Sequence, residues 1–259
     1  MDLFVDLNNA MVFVLVMIRM TGMMVLHPIL GRNNIPTQLS VGFAFVLTIL
    51  LTASLPFPVL PDPNLANLIF MAISEMLIGL AAGMISHLFF SVLIIAGELI
   101  DMQMGIAMAK IFEPGSNASV ALTANMFNMM FILTFFVTNN HLTFIRLTAQ
   151  TFDVIPLGTI GITLDALFYL PNLLSTILLF AIKLALPIVV VELIVTMAVG
   201  IMMRIVPQIS VFVVSIQLRL IIGIFALVVL VGPFVAFMEN LWYESFVRIG
   251  EMWRLMFSL

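Results

Sequence analysis

The 259-residue chain contains no cysteine. That excludes disulfides, thiolate catalysis and cysteine-based metal centres, and leaves the compartment open. Charge is also scarce: 9 Lys or Arg and 13 Asp or Glu make up 8% of the residues, with a net charge of −4. There is no basic block to bind nucleic acid and no acidic tail to act as a solvated arm. The motifs of enzymes are missing too, among them HExxH, Gly-x-Ser-x-Gly, a P-loop and any Cys/His cluster. No catalytic residue, cofactor or metal is therefore expected. Near the start stand Asp2 and Asp6 rather than Lys or Arg, and no small-residue cleavage site follows. The first apolar segment is expected to remain as a helix rather than to be removed as a signal.

What the chain has is apolar length. Hydrophobic residues make up 63%, and mean hydropathy is +1.28. No water-soluble domain needs so much apolar surface, so the expected class is an all-α, polytopic membrane protein. Apolar runs fall at 10–30 and 37–55, with a break at 27–36 (His27, Pro28, Gly31, Pro36). Four prolines, Pro56, Pro58, Pro61 and Pro63, make 56–64 a loop. Residues 65–113 hold no proline. They form either one very long helix or a hairpin turning near Ser86–Ser91 or Gly97. Gly79 and Gly83 form GxxxG, which lets two helix backbones approach closely. Another apolar run covers 118–138. The less apolar part, 142–171, predicts a short amphipathic helix near 142–153, a loop, and a second short helix near 163–169. Runs at 172–203 and 209–236 follow, with a kink expected at Pro187. An amphipathic helix over 237–259 closes the chain.

The most unusual stretch is Gly97–Ser116. Glu98, Asp101, Lys110 and Glu113 lie there among Met102, Met104, Gly105, Ala107, Met108 and Ala109. It is too polar to face lipid and too apolar for a surface loop. Helical spacing puts Glu98, Asp101 and Gly105 on one face. The two carboxylates suit capping or pairing, an ion site, or acid/base chemistry. Glu113-Pro114-Gly115-Ser116 stops the helix with a turn. Ile111 and Phe112 are bulky apolar residues inside that turn, suited to occluding a narrow passage by dewetting. Lys110 and Glu113, three apart, form a weak latch. Gly105–Ser119 is expected to be a movable plug, with Met102, Met104 and Met108 sealing around it; the plainer alternative is a connector between two helices.

Charges within or beside the apolar runs balance. Arg19, Lys110, Lys183, Arg204 and Arg219 are positive; Glu75, Glu98, Asp101, Glu113 and Glu192 are negative. A charge in hydrocarbon is costly, so each should face a partner or a polar path. A set of buried pairs and an ion transporter both satisfy this. Transporters usually carry pseudo-symmetric repeats with paired broken helices, and the Pro and Gly breaks here show no such repeat.

Several pieces, in order, resemble the FliR family of the flagellar type III export gate, SctT-like in injectisomes. They are Arg19 with Pro28-Ile-Leu-Gly31 and Pro36; Glu75 with Gly79 and Gly83; Gly97-Glu-Leu-Ile-Asp101-Met-Gln-Met-Gly105 with Ala109 and Pro114; Asn140-His141 and Thr151-Phe152 with Pro156; and Leu184-Ala-Leu-Pro187 followed by Arg204-Ile-Val-Pro207-Gln208-Ile-Ser210-Val-Phe212. The chain departs at Glu113, Ser210 and Gln217-Leu-Arg219, where the family usually has Asp, Asn and Pro-Leu-Lys. The last change predicts a straighter second helix of the final pair.

The resemblance implies kinked helical hairpins that join FliP-type and FliQ-type subunits in a helical, multi-subunit pore assembly for unfolded flagellar proteins. It implies a single export-gate domain over 1–259, with a FliP-like part at 1–171 and a FliQ-like part at 172–259. The plug would lie near 97–119 and close the pore over Gly105–Ser119. FlhB-type and FlhA-type proteins would sit beside it in the bacterial inner membrane at the flagellar basal body. The buried charges (Arg19, Glu75, Glu98, Asp101, Lys183, Glu192, Arg204, Arg219) would then lie between subunits.

Overall fold

The computed structural model describes residues 2–31, 36–54, 64–106, 121–159, 164–205 and 211–256. Among these residues every regular element is an α-helix. In chain order they are α1 (Asp2–Val25), α2 (Thr37–Ser54), α3 (Leu65–Gln103), α4 (Leu122–Val137), α5 (Asn140–Val154), α6 (Leu164–Ile205), α7 (Val211–Val229) and α8 (Val231–Met256). In lipid every backbone N–H and C=O must be satisfied internally, which is why an apolar chain takes this form. Four of the helices are long and apolar enough to cross a membrane, or up to six spans if each bent pair counts as one.

The open choice in 65–113 is settled by α3. It is a single helix of 39 residues, and neither Ser86–Ser91 nor Gly97 turns the chain. Gly97 instead marks a close approach, because a Cβ there would lie 2.6 Å from the Cβ of Ala124 on α4. The expected short helix at 163–169 is corrected. It is the first part of α6, which runs 42 residues through both Pro171 and Pro187. Each proline removes one backbone donor, but the surrounding apolar run has no water to compete for the remaining bonds. The final boundary also moves, from 236/237 to Leu230, where α7 and α8 bend by 62°. Pro233 lies in the first turn of α8, a position where proline is tolerated. It denies the Val229 carbonyl its i+4 donor. The bonds from Leu230 N–H to Ala226 O and from Phe234 N–H to Leu230 O, both 3.0 Å, persist around it. Helix α7 is uninterrupted across Gln217-Leu-Arg219.

The helices contribute to two compact units. The first comprises Met1–Phe89, Asn139–Leu173 and Trp242–Leu259. Its core includes Val12, Leu15, Val16, Met20, Ile78, Ile85 and Trp242, all almost fully buried. Helices α1 and α2 meet through the edge-to-face rings of Phe13 and Phe45, 5.8 Å apart. The second comprises Phe90–Thr138 and Leu174–Leu241. Leu93, Ile100, Phe127, Phe131, Leu184, Ile188 and Met238 fill it. There Phe127 and Phe234 pack edge to face at 5.1 Å.

Candidate functional site

Arg19, in the C-terminal half of α1, is completely buried, and so is Glu75 on α3. Arg19 Nε donates to Glu75 Oε2 at 2.5 Å. Its Nη1 donates to Thr151 Oγ1 at 3.3 Å, and Nη1 and Nη2 both reach the Ile155 carbonyl at 3.2 Å. The Phe152 ring covers the guanidinium at 4.3 Å. The other carboxylate oxygen, Glu75 Oε1, accepts the Gly158 N–H at 3.1 Å. A positive φ of 79° at Gly158 aims that N–H, a conformation most side chains disfavour. The pair therefore ties α1 and α3 to the end of α5 and the turn after it. Burying two charges costs several kcal/mol each, and only such a satisfied network offsets that. Enclosed on all sides, the pair is a brace, not an ion path.

Glycines make the pairing possible. A Cβ at Gly79 would lie 2.8 Å from Met23 N, and one at Gly22 would lie 2.8 Å from Met76 O. At Gly83 it would lie 2.8 Å from Met23 O. The backbones of α1 and α3 thus touch through Gly22, Gly79 and Gly83, as close-packed membrane helices do. The close contact expected at GxxxG is present, and Gly22, three residues after Arg19, is the facing partner that sequence reading missed.

In the second unit, Asp101 is buried near the end of α3. It accepts the backbone N–H of Thr123 at 3.2 Å through Oδ1 and at 3.4 Å through Oδ2. The Thr123 hydroxyl also donates to Oδ1. Thr123 is the second residue of α4, whose own N-cap, Ala121, makes no side-chain cap bond. Asp101 therefore caps α4 from another helix, and its negative charge faces the positive end of that helix's dipole. Of the roles left open for this carboxylate, capping is the one its geometry fits.

Beyond Asp101 the chain turns at Gly105, with φ 79°. Met104 is buried, whereas Met102 is 67% exposed. A Cβ at Gly223 on α7 would lie 2.7 Å from Met104 Cγ and 2.7 Å from Glu192 Oε1. The end of α3 thus leans on α7 beside a fully buried Glu192, neither of whose carboxylate oxygens has a hydrogen-bond partner among the described residues. Arg219, one turn before Gly223, is the cation that acts on Glu192. Met108, Ala109, Lys110, Ile111, Phe112, Glu113, Pro114 and Gly115 lie outside the described residues.

The remaining charges are not brought together. Glu98, Lys183 and Arg204 are exposed on this chain, and Arg219 is half-buried. Glu98, Lys183 and Arg204 stand on outward helix faces, where 3.6-residue periodicity places them away from the chain's own core. Among the described residues no three His, Asp or Glu side chains cluster to hold a metal ion.

Sequence reading also missed His27. It is fully buried, and burial lowers its pKa to about 3. Its Nδ1 accepts the N–H groups of Ile29 and Leu30, both at 3.3 Å. Its ring packs on Phe144 at 4.6 Å and stacks with Trp242 at 6.3 Å. The signal was the His-Pro pair at 27–28, read only as a helix breaker.

These features sit in a chain with clear relatives. The family described as bacterial export proteins, family 1, matches residues 10–245. The flagellar biosynthetic protein FliR of Escherichia coli (strain K12) is 31% identical over 236 residues, covering 91% of this chain and 90% of the relative. FliR of Pectobacterium carotovorum subsp. carotovorum is 30% identical, with 91% and 90% covered. FliR of Bacillus subtilis (strain 168) is 28% identical, with 93% of both chains covered. The chain belongs to bacterial export protein family 1, the family of the flagellar FliR proteins.

Proposed function

We propose that this protein is a core membrane subunit of the flagellar type III export gate, in the bacterial inner membrane at the flagellar basal body. It forms, with FliP-type and FliQ-type subunits, the pore through which unfolded flagellar proteins leave the cell. FlhB-type and FlhA-type proteins stand beside it. The protein contributes a passage and no covalent chemistry.

One observation carries the assembly reading. The apolar parts of α3 and α6 are 39 and 38 residues long. At 1.5 Å per residue each is about 57 Å of helix, nearly twice the ~30 Å hydrocarbon core. Fitting either helix within lipid would need a tilt of about 60°, beyond the usual ~40° limit. The surplus apolar length is what a subunit embedded in other proteins requires.

Within this reading, 1–171 acts as the FliP-like part and 172–259 as the FliQ-like part. Gly105–Ser119 acts as a plug. Gly105 supplies its hinge, and Met104, anchored against Gly223 and Glu192, holds its root. Deleting the gene should abolish flagella, and the chain should co-purify with FliP-type and FliQ-type subunits. Shortening Lys110–Asn117 should leave that complex intact and make the membrane leak ions. An assembled deletion variant as tight as the parent would reduce the plug to a connector. A stable, monodisperse chain purified alone would favour a solute transporter.

A further inference from the structure

Two charges of the second compact unit are left unsatisfied. Glu192 on α6 is fully buried, and among the described residues neither of its carboxylate oxygens accepts a hydrogen bond. Arg219 on α7 has a buried Nε that is likewise unbonded among the described residues. The two charges act on each other, yet they do not meet. The ion pairs among the described residues are Arg19–Glu75, Arg248–Glu244 and Arg248–Glu251. A buried acid and a base within its field, both unsatisfied, would gain by closing on each other.

The end of α3 sits over the carboxylate. Met104 still hangs on that helix, its N–H donating to the Ile100 carbonyl at 2.9 Å, and Gly105 then turns the chain. The Met104 side chain is buried. Its Cγ and Cε lie 2.7 and 2.8 Å from the point where a Cβ would stand at Gly223, and Glu192 Oε1 lies 2.7 Å from the same point. Thioether and carboxylate therefore share one notch on α7, open only because residue 223 is glycine. A thioether has no proton to give, so Met104 fills space beside the carboxylate and satisfies nothing. A Cβ at Gly105 would lie 3.8 Å from Ile216 Cγ2, so that residue too rests on α7 by apolar contact. Such a seat is easily left.

We propose that Glu192 and Arg219 form a latch for the lifted state of the α3 end. Met104 seated over Gly223 holds the carboxylate off the guanidinium; when Met104 withdraws, the two close into an ion pair in the vacated notch. The proposal rests on the plug reading above and adds to it the residues that hold the gate open. The ion pair exists in one state only, so its whole energy favours that state. Apolar packing of Met104 favours the seated state, and two unsatisfied charges oppose it.

The test uses the gate assembled with FliP-type and FliQ-type subunits, in vesicles for ion leak and in cells for export of an unfolded flagellar protein. Glu192→Gln should leave complex recovery and leak unchanged and lower export at least about five-fold, the low end of an ordinary coupling between two states. Arg219→Gln should lower export likewise. The double variant should be no worse than either single one, because the pair acts as a unit. Gly223→Ala should unseat Met104 and raise the leak. The chain has no cysteine of its own, so Met104→Cys combined with Gly223→Cys gives a clean cross-link. Oxidation should pin the α3 end and arrest export, and reduction should release it. Normal export by Glu192→Gln, additive losses in the double variant, or a Glu192→Gln chain that fails to assemble would each overturn the latch alone. A cross-linked gate that still exports would overturn the plug reading, and the latch with it.

Discussion

Arg19 Nε and Glu75 Oε2 meet at 2.5 Å, with neither side chain reaching solvent. The two residues are 56 apart in sequence and belong to α1 and α3. Removing one of them strands the other charge in an apolar interior. Arg19→Met or Glu75→Leu alone should therefore destabilise the chain by roughly 3–5 kcal/mol. The double variant should recover a large part of that loss, because apolar pairs often replace buried ion pairs well. Thermal unfolding in detergent of the three variants forms the cycle. Additive losses would mean that the residues act independently.

The glycine contact between α1 and α3 makes its own prediction. Gly79→Ala forces a methyl group to within 2.8 Å of Met23 N. Backbone cannot yield as a flexible side chain does, so overpacking should cost roughly 1–3 kcal/mol. Gly42, with nothing within 4 Å of its would-be Cβ, is the matched control. Gly42→Ala lies within α2 and should be neutral, or stabilising by up to about 1 kcal/mol from helix propensity. Equal membrane levels and melting points for the two variants would remove the contact from the account.

Asp101 caps α4 through Thr123, and both groups are needed for the bond pattern. Asp101→Ala should cost about 1–2 kcal/mol, the range of a lost N-cap. Asp101→Asn keeps an acceptor oxygen and should cost less. In Thr123→Val the backbone bond survives while the hydroxyl donor is gone, so its effect should overlap that of Asp101→Ala rather than add to it. Hydrogen exchange at the first turn of α4 should accelerate in Asp101→Ala before it does so elsewhere.

His27 imposes a pH dependence. Burial lowers its pKa from 6.5 to about 3. The folded protein therefore refuses a proton that the unfolded chain accepts below pH 6.5. The stability linked to neutral His27 is fully present above pH 6.5 and falls as pH drops toward 3. Through that window the loss is roughly 1.4 kcal/mol per pH unit. Melting points should decline between pH 6.5 and 5 in the parent. The decline should be shallower in His27→Asn, a variant with an acceptor and no proton to gain. Parallel profiles would assign the acid sensitivity to other groups.

Much of the fold was set by composition and period. Long apolar runs with few charges must be helices in lipid, because only helices and closed barrels satisfy the backbone there. Proline clusters at 56–63 and small residues at 79 and 83 marked a break and a contact by local sterics alone. The stretch near 97–105, with Glu98 and Asp101, was legible as a special place because charge is so rare. The partners of those charges were not legible. Pairing Arg19 with Glu75, and both with the 155–158 turn, depends on which helix faces lie together, and several rotations of an evenly apolar helix satisfy the same sequence. Whether 65–113 turned at its serines was likewise undecided, since serine fits a helix that bonds its hydroxyl back one turn. Ser86 does so, its hydroxyl donating to the Ala82 carbonyl at 3.0 Å. The exposed face of α6 needed both levels. Its apolar residues are in the sequence, but only tertiary packing decided which face of α6 the chain itself leaves uncovered.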